Sequence, residues 1–117
     1  MNFTVVKQQE FVDYVVDLMQ SMGPVYSKKM FGGYGLFLDG LMFALIADCD
    51  LYLKVDQENK AEFEAQGLQP FRYQKKDRTI QMSYHQAPEE VMEDFTAMNV
   101  WGNSAYKAAL RSIKVKK

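Results

Sequence analysis

Residues 28–53, KKMFGGYGLFLDGLMFALIADCDLYL, decide the fold. Asp39-Gly40 joins two apolar runs, Tyr34–Leu38 and Leu41–Ala47. Asp-Gly between such runs predicts a β-hairpin, because a tight primed turn needs positive φ at its two central residues. Asp48-Cys49-Asp50 predicts a second turn. The expected product is a meander of strands at about 28–31, 34–39, 41–47 and 51–55. The two central strands are apolar on both faces, which predicts cover on both sides or a place in an interface. Gly32, Gly33, Gly35 and Gly40 read as structural. The first three open a strand, where glycine serves a bulge or a close strand–helix approach. A phosphate cradle would put such glycines at a helix N-terminus.

Outward from the meander, Phe11, Tyr14, Val15, Leu18, Met19 and Met22 recur at three- and four-residue spacing. They predict an amphipathic helix over about 5–22, stopped by Gly23-Pro24. Its other face carries Glu10, Asp13 and Asp17. Asp56 reads as the N-cap of a helix at 57–66, which Gly67 ends. A second hairpin follows at 71–74 and 79–84, with Lys75-Lys76-Asp77-Arg78 as its polar loop. Pro88 and Glu89-Glu90 predict a short helix at 88–95, before a longer one at 98–113. The fold class expected is α+β: a two-layer sandwich in the order α-ββββ-α-ββ-αα. Helices pack on a mostly antiparallel sheet of five to six strands.

The bulk numbers narrow the function classes. A chain of 117 residues, 48% apolar and 25% charged, reads as one globular domain. No apolar run approaches the roughly 20 residues that span a bilayer. The N-terminus has no signal-peptide pattern, and the single cysteine suits a reducing, cytoplasmic setting. Cys49 and His85 are the only cysteine and histidine and have no ligand-spaced neighbours, so neither metal nor cofactor is expected. His85 reads as solvated or capping. Ser27 and Ser83 lack a nucleophile-elbow setting, so no catalytic residue is assigned.

A net charge of −1 argues against a general nucleic-acid coat. Local cations keep a nucleic-acid reading open. Arg72, Lys75, Lys76 and Arg78 lie beside Phe71 and Tyr73, while Lys107, Arg111 and Lys114 form an i, i+4, i+7 stripe. These residues are the candidate nucleic-acid or partner contacts, and duplex DNA binding by the chain alone is expected to be weak. Met30, Phe31, Phe37, Met42 and Phe43 crowd one hairpin, with more apolar surface than one sheet face needs. That surplus predicts a partner surface or a homodimer. A small-molecule enzyme or sensor with a pocket near the glycine strand is a further alternative.

KKMFGGYGLFLDGLMFALI, then LYLKVD, AEFEAQGLQPFRY and TIQMSYHQAPEEVMED, together resemble the N-terminal domain of the TfoX/Sxy competence regulators over about residues 8–113. The most specific elements are Lys29-Met30-Phe31-Gly32-Gly33, Leu51-Tyr52-Leu53-Lys54 before Asp56, and Tyr84 ahead of Pro88-Glu89-Glu90. The resemblance implies a two-layer α/β fold and a regulatory, non-enzymatic role in natural competence. It also implies work beside a cAMP-receptor-type activator at competence promoters. Full-length regulators of that family carry a second, helical C-terminal domain, so a stand-alone first domain is expected here. The family supplies no catalytic residues.

Overall fold

A computed structural model describes residues 3–30 and 32–115. Helix α1 (Phe3–Leu18) runs into a 3₁₀ turn at Gln20–Met22. Strands β1 (Tyr26–Met30), β2 (Gly33–Leu38), β3 (Leu41–Ala47) and β4 (Asp50–Lys54) form the meander. Helix α2 (Lys60–Ala65), strands β5 (Pro70–Lys75) and β6 (Arg78–Gln86), a 3₁₀ turn at Glu89–Met92 and helix α3 (Phe95–Val115) complete the described chain. The expected α+β class and element order hold. The short helix expected at 88–95 is a 3₁₀ turn, and α2 is six residues long rather than ten. Phe31, expected to end the first strand, lies outside the described residues.

One six-stranded antiparallel sheet has the order β1-β2-β3-β4-β6-β5. The β2–β3 and β3–β4 hairpins close on two residues each. Asp39 and Gly40 have φ of 52° and 79°, and Asp48 and Cys49 have 51° and 61°. Both central residues are left-handed in each, as the primed turn of a twisted hairpin requires. The β5–β6 hairpin turns on Lys76 and Asp77, with Lys75 and Arg78 paired across the strands.

The helices pack on one face. Val12 and Val15 of α1, Met19 just after it, Phe63 of α2 and Met98, Ala105 and Ala109 of α3 bury against Leu36, Ala44, Ile46, Leu51 and Leu53. The β2–β3 register shifts between Leu36 and Phe37: Leu36 opposes Ala44 while Phe37 opposes Met42. Phe43 is the extra residue of this bulge. It turns into the helix side, fully buried, with its ring edge-on to Tyr106 of α3 at 6.1 Å. The bulge thus sits at Phe43 and not at the glycines. Gly33 answers to a close approach, but of strand to strand and not of strand to helix: a Cβ there would lie 2.1 Å from the Ile46 carbonyl oxygen of β3.

Asp56 ties α2 to α3. Its Oδ1 accepts from the backbone N–H of Glu58 and Asn59 and so closes the turn that leads into α2, whose own N-cap is Asn59 and not Asp56 as the sequence predicts. The Arg111 guanidinium donates to both carboxylate oxygens, Nε at 2.6 Å and Nη2 at 2.9 Å. These bonds, above all those from Arg111, hold the Asp56 carboxyl below the usual carboxylate range against the opposing effect of partial burial. With the native pKa below the unfolded one, the pair's stabilisation is complete above the ordinary value of 3.8 and vanishes as pH falls through the lower native value. Asp56→Asn should therefore cost on the order of 1 kcal/mol at neutral pH, a modest figure because water still reaches both groups. Denaturant melts across pH should show wild type and variant converging below the native Asp56 pKa. A constant gap down to the acid limit would refute the assignment.

Candidate interaction surface

The second face of the sheet carries none of the described helices. Leu45, Phe71 and Tyr84 are buried there, with Met42, Ala47, Tyr52, Tyr73 and Met82 packed around them. Every member of this cluster comes from a strand. Pairing register sets which residues share the face. Tyr26 opposes Phe37, Phe37 opposes Met42, Leu45 opposes Tyr52, and Tyr73 opposes Ile80. The rings cover one another: Tyr52 meets Phe71 edge-on at 4.9 Å, Phe71 stacks with Tyr73 at 6.1 Å, and Tyr26 stacks with Phe37 at 5.6 Å.

Gly35 sits within this face and explains its smoothness. A Cβ there would stand 2.8 Å from the Met30 sulfur and 3.1 Å from the Met42 sulfur, so two thioethers lie across the bare backbone. Burial pushes the Tyr84 phenol up to about 12, and its hydroxyl reaches only the Met42 carbonyl, at 3.5 Å. Two cations ride above the rings: the Lys28 ammonium 5.4 Å from Phe37 and the Lys54 ammonium 5.1 Å from Tyr84.

The candidate contacts read from sequence fall into separate places. Register puts Lys75 and Arg78 on the helix-free face at the far end of β5–β6, with Lys76 at the turn beyond. Arg72 opposes Gln81 and lines a 430 Å³ cavity on the helix side with Lys60, Glu64 and His85. Lys107 and Arg111 line a 480 Å³ groove with Asn59, Asn99, Asn103 and Ser104. Arg111 is engaged there by Asp56, and by Glu58 at 3.1 Å. The Lys114 side chain lies outside the described residues, as do Lys116 and Lys117. Gly32, Gly33 and Tyr34 line a 350 Å³ cavity with Gln8, Lys29 and Met30.

His85 corrects its sequence reading. It is not solvated but 5% exposed, with Nδ1 2.9 Å from the Leu68 carbonyl oxygen and its ring against Phe63. A carbonyl only accepts, so Nδ1 carries the proton and anchors the loop after α2. Among the described residues, no three His, Cys, Asp or Glu side chains converge as metal ligands. No described helix is long and apolar enough to cross a membrane.

Sequence reasoning missed Asn59 and Gly102. Asn59 is 4% exposed and donates to the Lys54 carbonyl and to Ser104 of α3. Gly102 lets α3 cross the Met22 thioether, whose sulfur would lie 2.6 Å from a Cβ at that position. An isolated mid-helix glycine was the available signal for such a crossing.

The chain also has relatives among known proteins. The family profile of the TfoX N-terminal domain matches residues 17–109. DNA transformation protein TfoX1 of Aliivibrio fischeri (strain ATCC 700601 / ES114) is 32% identical over 82 residues. That alignment covers 70% of this chain and 37% of the relative, so the similarity spans little more than a third of the relative's length. With most of its described sheet and helices inside the matched span, this chain belongs to the TfoX N-terminal domain family.

Proposed function

We propose that this chain is a non-enzymatic regulatory module of natural competence, acting on transcription through contact with a protein partner. The observation that carries the proposal is the helix-free sheet face, an aromatic and methionine floor built from strands alone. Large apolar faces of this kind serve contact rather than turnover. Family membership supplies the competence setting, as does the relative's name, a DNA transformation protein. A cAMP-receptor-type transcription activator is the partner we propose for that setting.

The test is genetic. Deleting the gene in its native host should change transformation frequency and DNA-uptake transcripts by at least about tenfold, a shift of about 1.4 kcal/mol if read as one equilibrium. Restoring the wild-type gene should reverse both. Unchanged transformation and transcripts would overturn the competence role.

A further inference from the structure

We propose that the helix-free face receives a protein segment with apolar anchors flanked by carboxylates. The inference rests on the reading above that this face is the working surface, and it names the chemistry of what sits there.

Charge selects the flanks. Lys28, Lys54, Lys75 and Arg78 lie on this face by register, against Asp50 on the face and Asp48 at the turn beside it, whose charge also reaches Tyr52. Lys28 and Lys54 are held above rings, so a carboxylate reaching either would meet its cation beside apolar surface. Partial exclusion of water there strengthens the attraction. The floor selects the anchors. The thioethers of Met30 and Met42 over Gly35, and the half-buried Met82, form an adaptable surface suited to aliphatic and aromatic side chains.

Three other occupants fit less well. A strand added at a sheet edge would have to approach β1 or β5. The first carries Lys28 and Lys29 and the second Pro70, Arg72 and Lys75, the charged and proline guards that discourage edge pairing. A single-stranded nucleic acid needs open ring faces on which bases can stack. Here Phe37 already has Tyr26 and Lys28 on it, Phe71 has Tyr73, and Tyr84 is 6% exposed beneath Lys54. A second copy related by a two-fold axis would set this patch against itself and bring like charges together.

Methionine-methyl NMR on the whole chain tests the proposal. Met30, Met42 and Met82 report on the face, and the fully buried Met19 and Met98 serve as internal references. The probes are two synthetic peptides with the same Leu/Phe core, one flanked by glutamates and one by lysines, plus an oligothymidylate strand. The glutamate peptide should move the three face signals and leave the references still. Lys28→Glu with Arg78→Glu, both at exposed positions, should weaken it at least about tenfold without altering the melting curve. Equal binding by the lysine peptide, or shifts confined to other methionines, would overturn the proposal. So would face shifts produced by the oligonucleotide and not by the glutamate peptide. Face shifts that grow with protein concentration alone, together with a dimer mass by light scattering, would assign the face to a second copy and overturn it too. Failure of the peptides beside an intact transformation phenotype removes this proposal and leaves the competence role standing.

Discussion

Gly33→Ala should destabilise the fold severely. The new Cβ would stand 2.1 Å from the Ile46 carbonyl oxygen, 3.2 Å from its carbon and 3.3 Å from Ala47 Cα. All three are backbone atoms of β3, so relief requires moving a central strand rather than rotating a side chain. Moving β3 disturbs its pairing with both β2 and β4 and the packing of α3 behind it. The expected loss is about 3 kcal/mol or more, at or beyond the upper end of ordinary overpacking. Against a domain stability of roughly 5–15 kcal/mol, that is most or much of the total. Gly32→Ala is the matched control. Gly32 has φ of 75° and nothing within 4 Å of its Cβ position, so alanine there meets backbone strain alone, about 1–2 kcal/mol. Denaturant melts of the two variants separate the effects. Equal losses would mean that the β2–β3 approach is looser than described.

Phe63→Ala should cost about 3–5 kcal/mol, the usual range for deleting a fully buried aromatic ring. Phe63 has no exposure and stands edge-on to Trp101 of α3 at 5.0 Å and to His85 of β6 at 5.9 Å. One ring therefore joins a short helix, the long helix and the strand that carries the second hairpin. Helix α2 is too short to persist without tertiary support, so the cavity also frees the segment that precedes β5. Phe63→Leu keeps most of the volume and should lose far less. Urea unfolding of the pair gives the comparison, and amide exchange should quicken first around Leu68 and His85. A loss under about 1 kcal/mol for the alanine variant would contradict the three-ring packing.

The meander was legible because hairpins are local. Asp39-Gly40 and Asp48-Cys49 turn within two residues, and the apolar runs beside them have nowhere to go but a sheet. Helix α1 was legible for the same reason, as short-range periodicity, although it ends at Leu18 and Gly23 instead closes the 3₁₀ turn that follows. Gly33 was marked as a close approach before any partner strand was known. The family was legible too, because its motifs are contiguous.

What crosses the sheet was not legible. The β4–β6 pairing, which joins the meander to the second hairpin, depends on Leu53 meeting His85, 32 residues later in the chain. Nothing local announces that register. His85 therefore read as solvated or capping, although the same pairing buries it under α2. Phe43 looked like one more hairpin aromatic until the register shift turned it into the helix side. Arg111 looked like part of a phosphate-contacting stripe, yet a carboxylate 55 positions earlier holds it. The sequence by itself determined the elements, the turns and a surplus of apolar strand surface, since these follow from neighbours along the chain. Only the tertiary structure decided which face the helices cover, where the surplus remains, and which cations stand over it, because those depend on pairings whose partners lie far apart in sequence.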